Sequence, residues 1–201
     1  MRWFLDHAEE GAGVRDISDA TVGFSLAGPR SREVLSQLTQ FDLDNKSLPF
    51  LSCTTMDVGL IRAKVARLSV CGELGYEINC AMDEHITLRE ILLEAGRVFD
   101  IREFGFYAMN SLRLEKSFGV WSAEFTQAYT PGMTGLDRWI DWTRDDFVGH
   151  EAAHKEHKEK SAREMLVTLE IDADNADASG YEPVWQGDRR IGFVTSGGFG
   201  H

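Results

Sequence analysis

Leu68-Ser69-Val70-Cys71-Gly72-Glu73-Leu74-Gly75-Tyr76-Glu77-Ile78 reads as two strands joined by a tight turn, with a carboxylate just inside the second strand. Gly72 and Gly75 flank Glu73, and glycine supplies the positive φ that such turns need. Alternation after the turn points Tyr76, Ile78 and Cys80 one way and Glu77 and Asn79 the other. From these residues alone, Glu77 is either a solvated face residue or an acid that accepts paired N–H bonds from a ligand.

Upstream of this stretch, Ile61–Val70 alternates and feeds the hairpin, and Ser52–Val58 forms a strand broken at Gly59. Val14–Leu26 reads as extended, with its clearest alternation from Thr21, after a short amphipathic lead-in over 1–13. Pro29–Gln40 has proline in its first turn and Val34, Leu35 and Leu38 on one face, which predicts a helix. Downstream, Asp83-Glu84-His85 starts a helix running to about Phe99, with acids in its first turn. Gly105 opens another that ends near Gly119, with Leu112 as a core candidate and Arg113 and Glu115 on other faces as a pair within the helix. Pro131–Gly135 is a turn-rich loop, Leu136–Trp142 a short strand, and His150–Lys160 a charged helix. Met165–Ile171 alternates as a strand. Glu182–Gln186 and Arg190–Ser196 form a hairpin about Gly187-Asp188. A strand pair with no further sheet to cover it implies that the sequence is truncated. The fold class is α+β.

Composition narrows the function. The 201 residues carry 33 acids against 21 bases, a formal charge of −12, which argues against a nucleic-acid or anionic-membrane partner. No apolar run approaches the ~20 residues needed to span a bilayer. Cys53, Cys71 and Cys80 have no paired spacing, which suits free thiols in a reducing cytoplasm. His150, His154 and His157 share a helix face among Lys and Glu and read as solvated, so no metal site is expected. Nucleophile elbow, P-loop, HExxH and dinucleotide fingerprints are all missing. The glycine-rich run Ser196-Gly-Gly-Phe-Gly-His201 lacks the following helix that would make it a phosphate cradle.

Five stretches carry a resemblance when taken in order. They are Gly72–Ile78, Asn110–Lys116, Thr130-Pro131 with Gly135-Leu136, Asp146–Gly149, and Gly180–Val184 with Gly192–His201. Together they resemble the aminomethyltransferase (glycine cleavage T-protein) family, closest to its branch at the C-terminal end of dimethylglycine and sarcosine dehydrogenases. The resemblance implies a partial folate-binding domain over 1–145, a helical linker over 146–161, and the first part of a C-terminal β-barrel over 162–201. It implies tetrahydrofolate as cofactor, taking up a one-carbon unit released when a flavin domain or subunit oxidises an N-methyl amine. That FAD domain and the family's catalytic Asp would precede Met1, so no catalytic residue is expected in this chain.

In such proteins the Glu after Gly-Tyr grips the pterin edge; here it is Glu77. Tyr76, Ile78, Asn79, Val70, Arg138 and Trp139 are the further folate-binding candidates. The sequence departs from the family pattern at Val70, where a Tyr is common, at Arg138, where the aromatic comes one place later as Trp139, and at Met109, where the amine-transferring branch has Arg. A stand-alone aminomethyltransferase or demethylase and a non-catalytic folate-binding or assembly protein remain alternatives. Homo-oligomerisation through exposed sheet near Phe193 and Phe199 is a further expectation.

Overall fold

A computed structural model describes residues 1–160 and 164–200. The chain divides into two compact units, Met1–Phe104 and Gly105–His201. Mixed helix and antiparallel sheet confirm the α+β class.

The first unit is built on a four-stranded sheet. Its strands are β1 (Thr21–Ala27), β2 (Cys53–Val58), β3 (Ile61–Ala66) and β4 (Gly75–Ala81), in spatial order β1-β4-β3-β2 with antiparallel neighbours. A short helix, α1 (Arg2–His7), precedes them; α2 (Ser31–Ser36) follows β1, and α3 (His85–Gly96) follows β4. One face of the sheet is apolar. Leu26, Tyr76, Ile78, Cys80, Val65, Ala63, Met56 and Val58 bury against Val34 and Leu35 of α2 and Leu88, Leu92 and Ala95 of α3. The opposite face carries Ser25, Glu77, Asn79, Lys64, Arg62 and Asp57 and is open. Period-two alternation makes a strand with one packed side legible from sequence, and β3 and β4 follow it residue by residue.

The hairpin is looser than expected. β3 stops at Ala66, opposite Glu77, so residues 67–74 form an eight-residue loop rather than a tight turn. Only Gly72 has the positive φ (74°). Gly75 is needed for a different reason: a Cβ there would lie 3.0 Å from Ser69 Cβ and 3.1 Å from the Leu68 carbonyl. The helix expected over Pro29–Gln40 is short, but Val34 and Leu35 face the core as expected.

The second unit contains α4 (Phe106–Glu115), α5 (Pro131–Thr134), α6 (His150–Glu159) and a hairpin of β5 (Pro183–Gln186) and β6 (Arg189–Phe193). The loop expected at Pro131–Gly135 is in fact a one-turn helix. Thr130 caps it by accepting from Met133 N at 3.3 Å, Pro131 fills the first position, and Gly135 (φ 69°) ends it. Leu136–Trp142 is not a strand: Asp137–Trp139 is a 3-10 turn. Met165–Ile171 also forms no strand. Apart from Leu166 N donating to Met133 O (2.7 Å), it has no ladder, and Met165, Val167, Leu169 and Ile171 are exposed. Alternation sets which side chains share a face but does not supply a neighbouring strand.

Candidate functional site

β4 runs through the middle of the first sheet, between β1 and β3. Glu77 stands on its open side, opposite Ser25 on one neighbour and Ala66 on the other. It is half-buried. Among the described residues its carboxylate makes no hydrogen bond or ion pair, so both oxygens are available to an incoming donor. Asn79 is on the same face, between Gly23 and Lys64, and is exposed. The lack of a side chain at Gly23 makes room for the Asn79 amide, whose Oδ1 would collide with a Cβ there.

The strand splits the candidate set. Tyr76 and Ile78 are fully buried on the opposite, core-facing side. The Tyr76 hydroxyl accepts from Arg32 Nε at 3.3 Å, and Arg32 is held in turn by Asn45 (2.8 Å). These two residues therefore lie behind Glu77 rather than beside it. Val70 is in the 67–74 loop, half-buried. Next to it is a cleft of about 260 Å³ lined by Phe50, Arg67, Ser69, Gly72, Glu73 and Gly75. A wider groove of about 550 Å³ runs between α3 and the turn after α2, beside Leu38, Ile91 and Val98; α2 and α3 cover the apolar side of the sheet, not the Glu77 side. Arg138 and Trp139 belong to the second unit. Both are exposed, with the guanidinium 5.7 Å from the indole centroid.

The second unit holds a polar cluster that the sequence did not announce. Arg113, expected on a face away from the core, is 2% exposed and pairs with Glu124, 3% exposed, at 3.2 Å. The expected partner within the helix is replaced by a network. Arg113 Nε and Nη2 donate to Asn110 Oδ1 (3.0 and 2.7 Å), Nη1 to Phe118 O (2.9 Å), and Nη2 to Ser196 Oγ (2.6 Å). Glu124 accepts from Val120 N (2.9 Å) and Ser196 Oγ (2.6 Å). Burial pushes the Glu124 carboxyl up, but Ser196, Val120 N, Thr195 and the Arg113 charge outweigh it and hold the group below its usual range. The Asn110/Arg113 spacing was the one signal visible in the sequence; Glu124 and Ser196 lie too far along the chain to be inferred.

On α6 the histidines pack against aromatic rings. His157 stacks on Trp142 at 4.1 Å, and its Nδ1 lies 3.5 Å from Asp137. Among the described residues no group of three or more His, Cys, Asp or Glu is disposed to hold a metal ion, and no helix is long and apolar enough to cross a membrane.

Two family models match the sequence. The GCVT N-terminal domain covers residues 1–144, and the glycine cleavage T-protein C-terminal barrel domain covers 165–201. The chain belongs to the glycine cleavage T-protein family. It is 33% identical to human mitochondrial dimethylglycine dehydrogenase over 205 residues, which is 100% of this chain but 24% of the dehydrogenase. The rat enzyme matches at 35% with the same coverage. An aminomethyltransferase of Halalkalibacterium halodurans is 30% identical over 98% of this chain and 53% of its own length. The chain thus spans about a quarter of the dehydrogenases and about half of the aminomethyltransferase. A heterotetrameric sarcosine oxidase from Corynebacterium overlaps 51% of each chain at 20% identity and a TM-score of 0.44.

Proposed function

We propose that this chain is the tetrahydrofolate-binding, one-carbon-transferring portion of a protein resembling dimethylglycine or sarcosine dehydrogenase. The observation that carries the reading is the Glu77 carboxylate, which is half-buried on the open face of a central strand with both oxygens unclaimed among the described residues. A reduced pterin presents adjacent N–H donors along one edge, and a carboxylate accepts two such bonds side by side. The residues around it fit a polar heterocycle. Asn79 and Ser25 offer hydrogen bonds on the same face, and Lys64 stands beside Asn79.

Bound folate would supply the amine nitrogens that take up the one-carbon unit. This chain's part is to hold and orient it. Glu77 and Asn79 make direct contact in this reading. Tyr76 and Ile78, packed in the core, fix the strand that carries them, and Val70 shapes the adjoining loop. Arg138 and Trp139 offer a cation and a ring to an anionic aromatic ligand. Oxidation of the amine belongs to a flavin-bearing segment or subunit, with FAD held there and not on these residues. The domain limits stay as proposed, a folate domain to about 145 and a barrel portion from about 162. The cytoplasm is the proposed compartment, argued from three free cysteines, although the dehydrogenase relatives are named as mitochondrial.

A stand-alone aminomethyltransferase is the second reading, favoured by the relative that this chain half covers. Met109, in place of the Arg of the amine-transferring branch, weighs against it.

Calorimetric titration with tetrahydrofolate tests the assignment. Glu77→Gln keeps the size of the side chain and removes its charge. It is expected to weaken binding by about 1.5–3 kcal/mol, roughly 10- to 150-fold, the range for a hydrogen bond to a charged group. Equal affinity of the two proteins would overturn the assignment. Since Glu77 is on the open face, the substitution should leave the apolar core and the unfolding midpoint unchanged.

A further inference from the structure

The open face of the first sheet carries two charges that meet no partner among the described residues. Glu77 is one. The other is Lys64, exposed on β3, whose ammonium makes no hydrogen bond or ion pair there. The remaining charges on that face, Arg62 and Asp57, are tied to each other at 3.0 Å. Register places Lys64 opposite Asn79 and Ala66 opposite Glu77, so Lys64 and Glu77 are diagonal neighbours across β3 and β4. Such positions are about 7–8 Å apart. A lysine's flexible four-carbon stem covers that distance, yet the two charges form no ion pair.

Asn79 and Ala66 are the other two corners of this four-residue patch. Ala66 is small. The Asn79 amide oxygen is turned onto β1, over Gly23, where a Cβ would come 3.0 Å from Asn79 Cγ and closer still to Oδ1. Neither corner therefore fills the space between the charges. What remains is an acceptor, Glu77, and a donor, Lys64, facing each other across an open gap on one side of the sheet.

A 2-amino-4-oxo pteridine has the matching order along one edge: the 2-amino and N3–H donors, then the 4-oxo acceptor. We propose that Lys64 sets the selectivity of the folate site by donating to the 4-oxo group, while Glu77 holds the two donors beside it. Both bonds are charge-assisted, and each charge meets a complementary group. A 2,4-diamino ring puts an N–H2 group where the oxo group stands. The Lys64 donor then faces a donor and is left unpaired, which is how a polar site rejects an analogue of the same shape. This role, which rests on the folate reading, narrows the ligand to the oxo class of pteridines and gives the site a second charged contact.

Calorimetric titration of the whole chain under nitrogen, with 6-methyltetrahydropterin and with its 2,4-diamino counterpart, tests the assignment. Both probes lack the glutamate tail of folate, so an effect of Lys64 on them does not come from a tail carboxylate. Lys64→Met keeps an unbranched side chain on an exposed position and removes the ammonium. It is expected to weaken 6-methyltetrahydropterin binding about tenfold, the lower end for a hydrogen bond to a charged group, and to leave the diamino ring little affected. The ratio of the two dissociation constants should therefore shift about tenfold toward the diamino ring. An unchanged ratio would overturn the proposal. So would a loss seen with tetrahydrofolate but not with 6-methyltetrahydropterin, because the ammonium would then serve the tail. Glu77→Gln keeps the two assignments apart. If it weakens pterin binding while Lys64→Met leaves the ratio alone, Glu77 still grips the ring and only the role of Lys64 falls; if neither change alters binding, both fall.

Discussion

A guanidinium and a carboxylate buried together are costly to desolvate, and they persist here because every polar atom finds a partner. That makes Glu124 the residue whose ionisation matters most to the second unit. Its ordinary value is 4.5, and its folded value is lower. A group depressed in this way contributes stability above its unfolded value and loses the contribution as pH falls through the folded one. Glu124→Gln leaves Arg113 charged and buried beside a neutral amide, which should cost about 3–5 kcal/mol at pH 7. Urea denaturation across pH checks the sign. The gap between the two proteins is widest near neutrality and closes below pH 4.5; a gap independent of pH would show that charge is not what Glu124 contributes. Glu77 contrasts with it. Its carboxylate meets no partner among the described residues and is half open to solvent. One acid is fully committed to the fold and the other is left available, a difference that neither residue's immediate sequence reveals.

Among the elements, β4 shows why some readings succeed. Its buried and open positions alternate because α2 and α3 cover one face only, so Tyr76, Ile78 and Cys80 separate from Glu77 and Asn79 in the sequence itself. α3 was legible for the same reason, with Leu88, Leu92 and Ala95 on its packed side. α4 was legible as a helix opened by Gly105, but its packed side was not, because the buried position is filled by Arg113. Met165–Ile171 alternates as well as β4 does, but pairing is a property of two segments, and the described structure gives it no ladder. The one-turn helix at Pro131 carried its cap, its proline and its terminal glycine in plain view, and only its shortness hid it. The 67–74 loop yields a prediction at this scale. Ser69 and the Leu68 carbonyl lie 3.0–3.2 Å from where a Gly75 Cβ would sit, so a methyl group there requires them to give way. Gly75→Ala is expected to destabilise the first unit by about 1–3 kcal/mol, the range for overpacking, seen as a lower urea midpoint. An unchanged midpoint would mean that the loop shifts aside at no cost.

For the molecule as a whole, the family segments and the compact units divide the chain differently. The family models separate residues up to 144 from those beyond 165, whereas the compact unit beginning at Gly105 joins parts of both. The reason lies in specific bonds: Arg113 to Ser196, Glu124 to Ser196, and Leu166 N to Met133 O, each linking one family segment to the other. The barrel-family portion described here contributes a single two-stranded ladder, and two strands seldom suffice to cover their own apolar side chains. Trp185, Ile191, Phe193 and Phe199 are 40–68% exposed as a result. Apolar surface of this kind on a two-stranded ladder favours self-association. Static light scattering should therefore give an apparent mass for this chain that rises with concentration. Ile191→Lys, which places a charge on the hairpin without touching the Arg113 network, should lower that rise. A mass fixed at 22.6 kDa across the range would show that the exposed side chains do not drive association.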